Sequence, residues 1–236
     1  QIYNYIDPSQ IWEVELTLLC NKLKESITTL TLFKQIVLEY KEKTDLESPD
    51  RLWKLERSRV FTRLDAFLER LQDILEIAIH VEEFGHLDKI DIGGLRGESL
   101  SLIVTQVSRE FLKIQTKIQT VKYDLLDVKQ NEFEKDFFTF CTAVKDFDKR
   151  LSYVISKGFE NCPTASACFR LLESFEPHMR RDLIRAEVED KYLKLLSLYN
   201  KDLTSVYHIF NKQKADPPIV NSLPRVSGSL AWCHAL

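Results

Sequence analysis

Residues 100–128, LSLIVTQVSREFLKIQTKIQTVKYDLLDV, set Leu100, Val104, Val107, Phe111, Ile114, Ile118, Val121, Leu125 and Val128 at alternating steps of four and three. Those steps keep one side of an α-helix apolar, whereas a half-buried strand needs strict alternation. The spacing predicts a long helix running to Val128 with a coiled-coil-like packing seam.

The same rhythm extends outward in both directions. Downstream, Phe133, Phe137, Phe140, Val144, Phe147, Leu151 and Val154 continue it to Gly158. The aromatic content of this stripe predicts a thick buried seam. Upstream, Trp53, Val60, Leu64, Phe67, Leu71, Ile74, Ala78 and Val81 form a stripe that stops at Gly85. Before it, Trp12, Leu16, Leu19, Leu23, Ile27, Leu30, Phe33, Val37 and Tyr40 fall on one helical side after Asp7, Pro8 and Ser9. The polar run 41–50, with Pro49, reads as a loop. Phe169, Leu172 and Phe175, between Pro163 and Pro177, predict a helix of two to three turns. Val188, Tyr192, Leu195, Tyr199, Leu203, Val206 and Phe210 predict another long helix. Pro217, Pro218 and Pro224 interrupt the tail, and Leu230, Trp232 and Leu236 open a further apolar patch.

The expectation is an all-α fold without significant sheet: five long helices of about 25–30 residues in one or more elongated antiparallel bundles. Six glycines and seven prolines among 236 residues agree with long uninterrupted elements. A hydrophobic share of 44% supports a substantial core and excludes disorder. Charged residues recur too often for a membrane-spanning helix. With 33 Lys and Arg against 36 Asp and Glu, the net charge of −3 gives no general attraction to nucleic acid or to anionic membranes. Cys20, Cys141, Cys162, Cys168 and Cys233 are odd in number, widely spread and without a CxxC pair, which predicts a reduced, intracellular protein. The opening at Gln1, inside sequence that already reads as folded, predicts an excerpt of a longer polypeptide.

Few residues carry chemistry. GGLRGES, residues 93–99, lacks the spacing, the lysine and the preceding strand of a phosphate loop, so Gly93 and Gly94 are read as a structural turn. His80, Glu83 and His86 are the one conceivable metal-hydrolase set, but HVEEFGH is not the HExxH that lets two histidines meet one ion. Cys162 and Cys168 read as small packing residues. Asp146 with Asp148, and Glu187 with Glu189 and Asp190, read as charged outer faces. Arg180, Arg181 and Arg185 are surrounded by acids and predict internal ion pairing. Catalytic, cofactor-binding and metal residues are all expected to be none, with no cofactor and no small-molecule substrate.

Read as strings, RVFTRLDAFLERLQDI, LDKIDIGGLRG, YDLLDVKQNEFEKDFFTF, DFDKRLSYVISKGFENC, FRLLESFEPHMRRDLI and DPPIVNSLPRVSGSLAW occur in the order in which similar strings occur in dynein heavy chains. From about Trp53 to Trp232 the chain resembles the N-terminal tail (stem) of that family, of axonemal type and outer-arm class. It departs from the family pattern at Val226 and at the Arg181–Asp182 step. The resemblance implies a non-enzymatic structural and assembly segment of an ATP-driven microtubule motor, linking it to associated subunits and to its anchorage on the axoneme. Implied partners are intermediate and light chains, other heavy chains or docking proteins, in the cytoskeleton of a cilium or flagellum. A helical tether or spectrin-like scaffold is the alternative, although such an array should repeat within the chain and this one does not. The expected organisation is a long-helix bundle over 1–158, a short and a long helix over 159–214, and a proline-rich connector opening the next bundle over 215–236.

Overall fold

The computed structural model describes residues 5–8, 10–47, 57–85, 87, 90, 92, 97–162, 164–218 and 224–235. Among them stand seven α-helices and no strand: α1 Leu16–Glu47, α2 Arg57–Phe84, α3 Gly97–Gln119, α4 Asn131–Asn161, α5 Ala165–Ser174, α6 Asp182–Gln213 and α7 Arg225–Ala235. A 3₁₀ turn, Glu176–His178, joins α5 to α6. The all-α expectation holds, and no helix of the described residues is long and apolar enough to cross a membrane. The chain divides into two compact units, one of residues 1–90 with 101–151 and one of 91–100 with 152–236.

In the first unit, helix directions follow from residue pairs. Lys34 on α1 pairs with Asp65 on α2, while Cys20 lies in the field of Glu82, so α1 and α2 run antiparallel. Glu110 on α3 accepts from Arg150 on α4 at 2.8 Å, and Lys117 meets Asp136 at 2.8 Å, which makes α3 and α4 antiparallel as well. Between α2 and α4 the numbers rise together: Arg70 with Phe133, Glu76 with Cys141, Phe84 with Phe147. The core is aromatic at its centre. Phe111 stacks on Phe84 at 4.4 Å and lies 6.1 Å from Phe140, and all three are buried. Of the expected seam on α4, Phe140, Val144, Phe147 and Leu151 are buried, while Phe137 is half-buried and stacks on Phe133 at 5.9 Å.

Two expected boundaries are corrected. Helix α3 ends at Gln119 rather than Val128, although Leu125 still reaches the core. Asp124 Oδ1 accepts the Leu126 N–H at 2.9 Å and Asp127 Oδ1 accepts that of Lys129 at 3.0 Å, side-chain turns that take over the donors a helix needs. Helix α1 continues through Lys41–Glu47, where the loop was expected. Lys and Glu are strong helix formers, and Thr44 adds a bond to the Tyr40 carbonyl at 2.6 Å. Trp53, Pro49, Gly93, Gly94 and Leu236 lie outside the described residues.

The buried guanidinium of Arg70 closes the α3–α4 connection. Nη1 donates to the carbonyls of Leu125 at 3.2 Å and Asp127 at 3.0 Å, Nη2 donates to that of Gln130 at 3.4 Å, and the group lies 4.1 Å from the Phe133 ring centre. One turn on, Asp73 is partly buried. That burial, reinforced by the charge of Glu76, pushes its carboxyl up from 3.8 to about 6.

In the second unit, the last turns of α4 receive α5 and α6. A Cβ on Gly158 would stand 2.8 Å from Leu171 Cδ2, so the glycine admits α5 to close range. Thr164 caps α5 by accepting the Ala167 N–H at 3.2 Å. Ser156 donates to Glu187 at 2.5 Å, drawing the first turns of α6 onto α4. Gly97, at the start of α3, lies so close to the Ile92 carbonyl that any Cβ would collide with it.

Phe140→Ala is expected to lower unfolding free energy by about 3–5 kcal/mol in urea titration; a loss below about 1 kcal/mol would place this face outside the core. Arg70→Ala is expected to cost at least about 1.5–3 kcal/mol and to raise amide exchange over 121–130. Arg70→Lys should rescue little, because an ammonium lacks the planar fork. Native Asp73 keeps its proton up to about pH 6, whereas the unfolded chain releases it near 3.8, so its contribution is present below about pH 4 and is lost as pH rises through 6. Asp73→Asn should therefore melt higher than the parent at pH 7.5 and nearly level with it at pH 4. A pH-independent difference would refute this.

Candidate interaction surface

The residues with chemical potential are placed within the walls of the two units. His80 faces two carboxylates of its own helix, Nδ1 lying 3.5 Å from Glu83 and Nε2 3.6 Å from Glu76, with its ring 6.0 Å from that of Phe140. His86 lies outside the described residues. Among the described residues, no three His, Cys, Asp or Glu side chains are gathered as an ion would require.

Two readings of charged faces are corrected. Asp148 is buried, although Asp146 does face outward and pairs with Arg150 at 2.7 Å. Glu187 turns inward, where Ser156 donates to it at 2.5 Å and Lys191 pairs with it at 3.0 Å. These bonds to the ionised form hold its carboxyl below the usual range against the opposing effect of burial. The arginine cluster divides: Arg181 is buried, while Arg185 is outside and donates to Asp182 at 2.5 Å.

The second unit leaves an apolar helix face exposed. The first part of α6 sends Ile184, Val188 and Leu195 into the core, and Tyr192 meets Phe169 of α5 edge-on at 6.3 Å. The same stripe continues through Tyr199, Leu203, Val206 and Phe210. At the junction, Ala165, Ser166, Phe169, Leu195, Leu196 and Tyr199 line an open groove of about 350 Å³. In the groove and beyond it, Leu196, Tyr199, Leu203 and Tyr207 are 61%, 54%, 49% and 69% exposed. The reason is length. Helix α5 has 10 residues and spans about 15 Å, whereas the 32 residues of α6 span about 48 Å. The far end is met by α7, whose Trp232 stacks on Phe210 at 5.8 Å and donates its indole N–H to Gln213 at 3.2 Å. Trp232 is thus half-buried and held by at least these two contacts. Helix α1 shows a similar division: Leu19 and Leu23 are buried, while Phe33, Ile36 and Tyr40 are exposed.

Periodicity located the α6 stripe and said nothing about its cover. The legible signal was the short interval between Pro163 and Pro177, which limits how much of the next helix a partner from within the chain can shield.

Comparison with known proteins gives the chain's relatives. Over 236 residues the chain is 31% identical to the flagellar outer-arm dynein beta chain of Chlamydomonas reinhardtii, matching 100% of this chain and 5% of that one. It is 29% identical over 246 residues to human dynein axonemal heavy chain 9, covering 100% and 6%. With the ciliary dynein beta chain of Heliocidaris crassispina the identity is 29% over 242 residues, covering 98% and 5%. The chain therefore spans about a twentieth of the length of these curated relatives. The family described as "Dynein heavy chain, N-terminal region 1" matches residues 1–236, and the chain belongs to it.

Proposed function

We propose that this chain is a structural and assembly segment of an axonemal dynein heavy-chain tail. In this reading it connects a distant ATP-driven motor to associated subunits and to an anchorage in a cilium or flagellum, and it performs no catalysis itself. The supporting observation is the uncovered stripe of α6. A tyrosine- and leucine-rich helical face beside an apolar groove suits docking of another helix and offers nothing for turning over a substrate. Intermediate chains, light chains, other heavy chains or docking proteins are the partners this reading implies, and the relatives named for flagellar, ciliary and axonemal dyneins support the location. Dense packing of α2, α3 and α4 around Phe84, Phe111 and Phe140 supports a stiff element that transmits force. We also propose the organisation into 1–158, 159–214 and 215–236, with the proline-rich stretch as a connector between bundles.

The test is a heavy chain carrying Tyr199→Asp and Leu203→Asp, expressed in ciliated cells. Both side chains are half-exposed, so circular dichroism of the isolated segment should be unchanged. Loss of contacts at hot-spot positions, each about 2 kcal/mol or more, should weaken subunit association by about 30-fold or more per position. Subunits should separate from the heavy chain in sucrose gradients. Full assembly with normal axonemal incorporation would overturn the reading.

A further inference from the structure

Helix α4 ends at Asn161 and α5 starts at Ala165, and the two cysteines flanking this corner converge on one atom. The Phe159 carbonyl, left without a helical partner at the end of α4, accepts the Cys162 N–H at 3.3 Å and the Cys168 thiol at 3.9 Å. The Cys168 thiol lies near enough to that of Cys162 to raise it. The corner itself is fixed, because the Cys168 N–H donates to the Thr164 carbonyl at 3.1 Å while the Thr164 hydroxyl caps the helix. The other three cysteines stand apart from this arrangement. Cys20 is buried on α1, Cys141 donates to Glu76 at 3.9 Å, and Cys233 is exposed on α7.

We propose that Cys162 and Cys168 form a redox modification site, oxidised by a hydroperoxide to an intrachain disulfide that staples α5 to the end of α4. Cys162 is the more accessible of the two and reacts first. Its thiolate attacks the terminal peroxide oxygen, the O–O bond breaks, the corresponding alcohol (or water, from hydrogen peroxide) departs, and a sulfenic acid forms. The Cys168 sulfur then attacks the sulfenic sulfur, the S–O bond breaks, and water leaves. The two thiols give up two electrons and two protons, and the peroxide is reduced. A dithiol reductant reverses the reaction. Burial, with the Cys168 thiol beside it, raises the Cys162 thiol to about 11, so the reaction is slow at neutral pH and accelerates as thiolate forms. Since Ala165, Ser166 and Phe169 line the groove beside α6, the staple would tie one wall of that groove to α4.

The experiment treats the purified chain with hydrogen peroxide at pH 7 and pH 9, alkylates remaining thiols after unfolding, and maps peptides without reduction. Expected are a loss of about 2 Da, alkylation of three of the five cysteines, and a peptide linking Cys162 to Cys168 that dithiothreitol cleaves. The rate should rise about tenfold per pH unit. Cys162→Ser, at a half-buried position, should abolish the mass loss. Alkylation of all five cysteines, oxygen adducts without a cross-link, cross-links scattered among other pairs, or a 2 Da loss persisting in Cys162→Ser would each overturn the proposal. The parent peptide map decides the question independently of how any variant folds.

Discussion

The guanidinium of Arg70 holds the first unit together at its least regular point. An eleven-residue connection between α3 and α4, residues 120–130, has carbonyls that no helix or sheet satisfies, and two of its leucines, Leu125 and Leu126, are buried. Only a planar group with several fixed donors can serve three such carbonyls from one position, and α2 supplies it by laying Arg70 on the face of Phe133. The bond network fixes the start of α4. The start of α4 in turn sets the register in which Phe140 and Phe147 reach Phe84 and Phe111. A buried charge thus helps to order the aromatic core of this unit.

Most of the fold was legible because the chain repeats one instruction. Steps of three and four located all five long helices, and Leu71, Ile74, Val104, Val107, Phe140 and Leu151 are buried where that pattern puts them. What escaped depended on groups distant in sequence. The apolar rhythm runs through Leu125 and Val128 without a break, so the end of α3 at Gln119 is invisible to periodicity. Asp124 and Asp127, each two residues before the N–H it binds, were the available local sign. The contribution of Arg70, some fifty-five residues away, had no local sign at all.

The same limit governs the surface. Glu187 and Asp148 sit among other acids and read as solvent-facing, yet Asp148 is buried and Glu187 is drawn inward by Ser152 and Ser156, which sequence proximity does not reveal. Conversely, Tyr199 and Leu203 carry the same pattern as the buried Val188 and Leu195. A helix's own sequence specifies which side is apolar. The length of its neighbours decides how much of that side is covered, and only the folded arrangement gives that length.

Helix α6 can also be considered as a beam. It is clamped at one end by α4 and α5 and propped at the other by the indole of Trp232, with an unsupported span between Tyr199 and Phe210. Such a span bends more readily than either support, since few side chains resist its displacement. Under load, strain in this unit would concentrate there. Anything seated on the span would stiffen it, so occupancy of the surface and compliance of the segment would be one mechanical variable.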